Sequence, residues 1–307
     1  MTRLIHTFNK PSFSLTMSPD GKWIAQNKSS RINLYDAATY EQVASFNDFP
    51  YISKEVFSSD GKYLLAKSTA RKLALYDLGK MELIHKHNVK GNSQPQDEGI
   101  CFSSDNKKIV DLVYDNDMLG YIAVWDIETW TETRYFEGGN HVFDTIVSIP
   151  SKEKCFVSGH RRGSDGVYSI PFYLWFDAHK GFGEFVDTEC EAVTKFMYAE
   201  KRDCVLAYPF MKMKATIAFI QENRVVQLAE NDNINHFALS ADNTKAAVQF
   251  DNRTVVYDFP SMEIAAELDV IPGPGLIPGR YGRLSFSPDG QRVLIGTWGN
   301  GFLYALD

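Results

Sequence analysis

Four side chains able to do chemistry occupy one recurring place in this chain. Lys54, Lys195, His236 and Arg283 each stand four residues ahead of a short turn that repeats along the sequence, where the other occupants are Ser14, Gly99 and Ile146. Like charges held at one level of a rigid scaffold repel, and an anion or the acidic side chains of a partner relieve that repulsion. Neighbouring Asp97 and Asp144, or water, are the local alternative. The set reads as an anion-binding position. It also admits a second chemistry, with His236 as general base and Lys195 and Arg283 as anion clamps.

A second group reads as recognition rather than reaction. His160, Arg161, Arg162, Tyr281 and Trp298 fall in or beside expected turns, and aromatic and Arg side chains combine large contact area with directed hydrogen bonds. Trp298, in the Gly-rich stretch "GTWGNG", has little local structure to bury it except a neighbouring loop. Catalytic motifs are missing: "GSDG" at 163–166 is the nearest approach to a nucleophile elbow, and no H-E-x-x-H, P-loop or dinucleotide fingerprint occurs. His85 and His87 share one side of an expected strand without an identified third ligand. Cys101, Cys155, Cys190 and Cys204 form no C-x-x-C pair, so they read as buried or incidental thiols. Neither a metal nor a cofactor is expected.

The elements that must position these residues are announced by the turn itself. It recurs as "SPDG" (18–21), "SSDG" (58–61), "SSDN" (103–106), "SADN" (240–243) and "SPDG" (287–290), with "IPSKEKC" (149–155) and "YAEKRDC" (198–204) at the intervening intervals. A third apolar run recurs too, as "INLYD" (32–36), "LALYD" (73–77), "IAVWD" (122–126) and "TVVYD" (254–258), and fourth runs such as "EQVASF" (41–46) and "TETRYF" (131–136) follow. Strand-forming residues bounded by Asp, Gly, Asn and Pro give four short strands per unit. Units of roughly 40 to 50 residues with inner strands apolar on both faces predict an all-β, seven-bladed β-propeller, four antiparallel strands per blade, in one domain over 1–307. The last unit stops at "LYALD", and the chain opens with an extra strand. The N-terminal strand, 2–8, is therefore expected to complete blade 7 and close the ring.

The repeats resemble those of WD-repeat propellers, most clearly "IAVWDIETWTETRYFEGGNH" (122–141), while the final "GFLYALD" is more like quinoprotein-type repeats. The regular Gly-His pair and the Trp-Asp close are missing from most blades. Blade order as in those families puts the turns after first and third strands on one face, where Asp20, Asp36, Asp60, Asp77, Asp105, Asp126, Asp177, Asp258 and Asp289 gather. The opposite face collects Lys28, Arg31, Lys67, Arg71, Lys72, Arg253 and the insertions at 87–98, 115–120, 160–171, 209–214 and 270–282. Insertions concentrate where function is elaborated.

A net charge of −7 over 307 residues argues against general nucleic-acid binding. The N-terminus lacks the apolar core of a secretory signal, and no stretch is long enough to cross a membrane, which points to a cytoplasmic protein. The expected function is a non-catalytic interaction module or scaffold, binding a protein or acidic peptide on its loop-rich face and channel mouth. The alternative is a lactonase-like or quinoprotein-like enzyme with a small anion at that mouth, and the sequence leaves the choice open.

Overall fold

Short β-branched and aromatic runs, broken by residues that favour turns, leave the chain almost no helical option. The structure, a computed structural model, describes residues 2–9, 11–69, 72–88, 99–114, 120–136, 141–162, 168–188, 194–209, 214–250, 253–268 and 281–306. It is an all-β, seven-bladed propeller of four-stranded antiparallel blades.

Strand β1 (Thr2–Phe8) comes first. Blade 1 follows with β2 (Ser14–Met17), β3 (Trp23–Asn27), β4 (Ile32–Asp36) and β5 (Gln42–Phe46), and blade 2 with β6 (Ile52–Phe57), β7 (Tyr63–Ser68), β8 (Lys72–Asp77) and β9 (Glu82–Asn88). Blade 3 has β10 (Ile100–Phe102), β11 (Lys108–Tyr114), β12 (Gly120–Asp126) and β13 (Glu132–Phe136). Blade 4 has β14 (His141–Ile149), β15 (Lys154–Arg162), β16 (Tyr168–Asp177) and β17 (Gly181–Asp187). Blade 5 has β18 (Thr194–Ala199), β19 (Cys204–Pro209), β20 (Lys214–Phe219) and β21 (Arg224–Glu230). Blade 6 has β22 (His236–Leu239), β23 (Lys245–Gln249), β24 (Thr254–Asp258) and β25 (Glu263–Leu268). Blade 7 has β26 (Tyr281–Phe286), β27 (Arg292–Thr297) and β28 (Gly301–Leu306), completed by β1, which pairs antiparallel with β28 from Thr2↔Leu306 to Phe8↔Gly301. The expected closure is thus found, with the expected strand limits.

The Ser-x-Asp turns are small hydrogen-bonded machines. In each, the serine hydroxyl donates to the Asp Oδ1 two residues on and accepts the backbone N–H five residues on, as Ser18 does with Asp20 at 2.6 Å and Trp23 at 2.9 Å. The same carboxylate oxygen accepts the N–H of Lys22. Ser58, Ser103, Ser240 and Ser287 repeat the pattern. The next residue turns left-handed, which is why it is Gly21, Gly61, Gly290, Asn106 or Asn243. Blades 4 and 5 lack the motif and substitute a turn of 3-10 helix, Pro150–Lys152 and Glu200–Arg202, each ended by a left-handed residue, Glu153 or Asp203.

By contact density the chain forms two compact units, residues 1–52 with 199–307, and residues 53–198. Within each, cores lie between neighbouring blades. Phe8, Leu15, Ile24, Leu294 and Leu303 form one in the first unit. Val110, Leu112, Ile122, Phe143, Val157, Phe172 and Leu174 form one in the second. Middle strands buried on both faces explain the runs without alternation. Close approach also fixes two glycines: a Cβ on Gly296 would lie 2.6 Å from the Ser12 carbonyl oxygen, and one on Gly159 even nearer the Val142 carbonyl.

The 160–171 insertion is shorter than expected. The ladder continues through His141↔Arg161 and Arg161↔Ile170 to Arg162↔Tyr168, so His160, Arg161 and Arg162 belong to β15 rather than to a loop. The remaining 163–167, and most of the other expected insertions (89–98, 115–119, 210–213 and 269–280), lie outside the described residues.

Candidate functional site

Blade 7 carries an irregularity in its first strand. β26 pairs with β27 at Tyr281↔Thr297 and again from Leu284↔Ile295, with a register shift between. Such bulges re-aim backbone and side chains and are common beside sites. Here the N–H of Arg283 donates to the Phe13 carbonyl at 2.9 Å, and the N–H of Leu284 donates to His236 Nδ1 at 3.4 Å. The bulge thereby stitches blade 7 to the start of blade 1 on one side and to blade 6 on the other.

Trp298 follows β27 in a turn organised by Thr297, whose Oγ1 accepts the N–H groups of Gly299 and Asn300 and donates to the Asn300 carbonyl. Its ring stands edge-on to Phe13 with centroids 4.6 Å apart, yet 44% of the residue stays exposed. His236, Arg283 and Trp298 are therefore linked in a sequence of contacts, by the backbone bond of Leu284 to His236, that of Arg283 to Phe13, and the Phe13–Trp298 ring contact. Phe13 was not among the expected residues. Its role depends on Trp298, far away in sequence, and no local pattern announces it. Because His236 Nδ1 accepts a hydrogen bond, the proton of the neutral ring sits on Nε2.

Lys54 and Lys195 sit at the same register position in the other unit, on β6 and β18, both half-buried. Lys54 favours the charged form of nearby Cys101, but burial dominates and pushes that thiol well up. The Cys101 and Cys155 sulfurs are 3.6 Å apart, and both residues are buried, as is Cys204. Cys190 lies outside the described residues.

Blade 4 holds His160 and Arg161 in internal pairs. His160 Nδ1 meets the Asp144 carboxylate, and the His160 side chain is 14% exposed. Arg161 reaches Asp187 at 2.9 Å and donates through Nε to His141 Nε2 at 3.2 Å. Burial and then the Arg161 charge lower the His141 pKa, with Asp187 opposing, which keeps Nε2 unprotonated to accept. Arg162 closes β15 opposite Tyr168.

One expectation about charge changes. Lys67 is no part of an exposed basic ring: it is buried, with Nζ 2.5 Å from Asp111 Oδ1 and 2.7 Å from the Leu112 carbonyl. The acidic turns are also spoken for. Besides the Ser-x-Asp carboxylates, Asp36, Asp77, Asp126 and Asp177 each accept two backbone N–H groups of the turn that follows. The Thr129 N–H and Lys108 ammonium hold Asp126 down to about 2. At Asp20 burial opposes ionisation, but the bonds from Ser18 and Lys22 outweigh it and the pKa falls. His85 stacks on Trp130 of blade 3 at 4.4 Å, and His87 packs tilted against Trp125 at 4.3 Å.

No family model matches the chain, and no curated protein does. Among solved structures it is similar to the β-propeller domain of Cps50 (Swd1) from Myceliophteria thermophila, with a TM-score of 0.77 at 12% identity over 100% of both chains. It is also similar to the hydrazine synthase of Kuenenia stuttgartiensis, with a TM-score of 0.75 at 14% identity over 99% of this chain and 98% of the other. At these identities the likeness carries the seven-bladed fold to this chain and nothing about what either protein binds.

Proposed function

We propose that the chain is a non-catalytic interaction module that binds an acidic segment of a protein partner at the bulged end of blade 7. The observation that carries this reading is a large aromatic side chain left 44% exposed though propped by Phe13, whose backbone carbonyl in turn accepts the N–H of Arg283 on the bulged strand. Trp and Arg are the usual make-up of a binding hot spot. One ring nitrogen of His236, Nδ1, is engaged by the Leu284 N–H, which supports a structural and holding role over a general-base role. Among the described residues no helix is long and apolar enough to cross a membrane. Lys54 and Lys195, at the equivalent register of the second unit, are proposed as anion contacts of that unit in their own right.

The test compares wild type with Trp298→Ala/Arg283→Ala in fluorescence anisotropy with a labelled octa-glutamate peptide at low salt, and in partner capture from lysate. Loss of two hot-spot residues should weaken binding by about 30-fold or more. Equal affinity and equal capture by both proteins would refute the reading.

A further inference from the structure

A groove of about 420 Å³ opens between β1 and blade 1, within the first unit. The interface between blades 6 and 7 is filled by apolar side chains, and so is the inner part of this one, where Phe8 and Leu15 pack with Tyr35 against them. The groove outside that core is lined with polar groups. Asn33, 5% exposed, accepts from the Ser45 hydroxyl at 3.0 Å and lies 3.3 Å from the Tyr35 hydroxyl. Tyr35 donates to the fully buried Gln26 at 2.8 Å, and Gln26 passes the chain on to Ser12. The network fixes the orientation of each group. Asn33 Nδ2, with one proton directed at Tyr35, keeps another to donate.

The charge on this groove has one sign. Lys28 and Arg31, from the turn joining β3 to β4, both line it, and none of the described residues lining it is acidic. His6 lines the opposite wall, stacked on Tyr40 at 4.7 Å and edge-on to Phe8 at 4.6 Å. Burial lowers its pKa, so near neutral pH it contributes a polar rim, and Lys28 and Arg31 supply the charge. The volume suits a small molecule. Oriented amide and hydroxyl groups under two cations are the chemistry that holds a phosphate or carboxylate.

We infer that this groove is a binding site for a small molecule carrying a phosphate or carboxylate group, held by Lys28 and Arg31 above the Asn33–Tyr35–Ser45 network. It shares no lining residue with the blade 7 contact, although Ser12, at the foot of the network, also donates its N–H to the Thr297 carbonyl beside Trp298.

Isothermal titration of the full chain with inorganic phosphate and with citrate, in low-salt buffer, tests it. Saturable one-to-one binding of either anion is expected, at least 10-fold weaker in Lys28→Ala/Arg31→Ala, unchanged in Trp298→Ala/Arg283→Ala, and weakened by salt. Ser45→Asp places a carboxylate at the exposed lip without touching the core, and should also weaken binding at least 10-fold. The phosphate and citrate arms separate a phosphate site from a carboxylate site. No saturable heat with either anion, or binding that survives both groove variants while their unliganded melting stays at the wild-type value, overturns the inference.

Discussion

Removing the carboxylate of Asp111 should cost this protein more than removing almost any other single charge. Lys67 and Asp111 are 4% and 3% exposed and join blade 2 to blade 3, with the ammonium also meeting the carbonyls of Leu112 at 2.7 Å and Gly99 at 3.4 Å. At 2.5 Å and an effective dielectric constant near 20, opposite charges attract by roughly 6–7 kcal/mol. The desolvation of both ions offsets most of that, so the intact pair contributes little net stability. The asymmetry appears when one partner goes: Asp111→Ala strands a buried ammonium and should destabilise by about 3–5 kcal/mol. Asp111→Asn, which keeps an acceptor oxygen, should lose less. Lys67→Met/Asp111→Leu removes both charges at similar volume and should return to within about 1.5 kcal/mol of wild type. Urea unfolding followed by both Trp fluorescence and far-UV circular dichroism measures this. Glu82→Ala, in an exposed pair with Lys80 (67% and 55% exposed), serves as the comparison and should stay within about 0.5 kcal/mol. The reasoning fails if Asp111→Ala behaves like Glu82→Ala, or if the double variant loses as much as the two single variants added.

Three further outcomes follow from the same geometry. Gly296→Ala should destabilise by about 1–3 kcal/mol in the same unfolding assay, because its Cβ would meet the backbone oxygen of Ser12 at 2.6 Å rather than a movable side chain. Deleting residues 1–9 removes β1 and buried Phe8 and bares the edge of β28, so a large fall in melting temperature or aggregation on size exclusion is expected. The lowered pKa of Asp126 makes its contribution fully present above the ordinary 3.8 and lost as pH falls through about 2. The stability gap between wild type and Asp126→Asn should therefore close on acidification across that window, as read from urea midpoints at successive pH values.

The fold was legible because its signals are local. Each Ser-x-Asp-Gly or Ser-x-Asp-Asn turn contains its own hydrogen-bond partners within five residues, and β1 declared itself by supplying the strand that "LYALD" lacked. Asn106 and Asn243 show where local reading stops. Both occupy a turn position that glycine fills elsewhere, and their side chains bond to the turn of the preceding blade, at Ser59 and Lys201. The candidate site was legible only in part for the same reason. Equal register placed Lys54, Lys195, His236 and Arg283 on first strands, but neither the β26 bulge nor the Phe13–Trp298 contact has a sequence signature. His160 and Arg161 resembled loop residues because Gly163 and Gly166 follow closely, while the ladder partners of Arg161, His141 and Ile170, are 20 and 9 residues away in sequence. Lys67 resembled a surface lysine because Asp111 is 44 residues away.

The β1–β28 pairing has a mechanical side. Thr2 lies opposite Leu306 and Phe8 opposite Gly301, so both chain ends leave the same end of the blade. Hydrogen bonds in an antiparallel ladder run across the strands. A load applied through the two ends therefore pulls along those bonds and opens them one rung at a time, as a zipper does. A load applied to β1 through its Phe8 end, with the chain held at Leu306, would draw the strand lengthwise and strain all the rungs together. The clasp that closes the blade against thermal fraying is thus weakest against tension between its own termini.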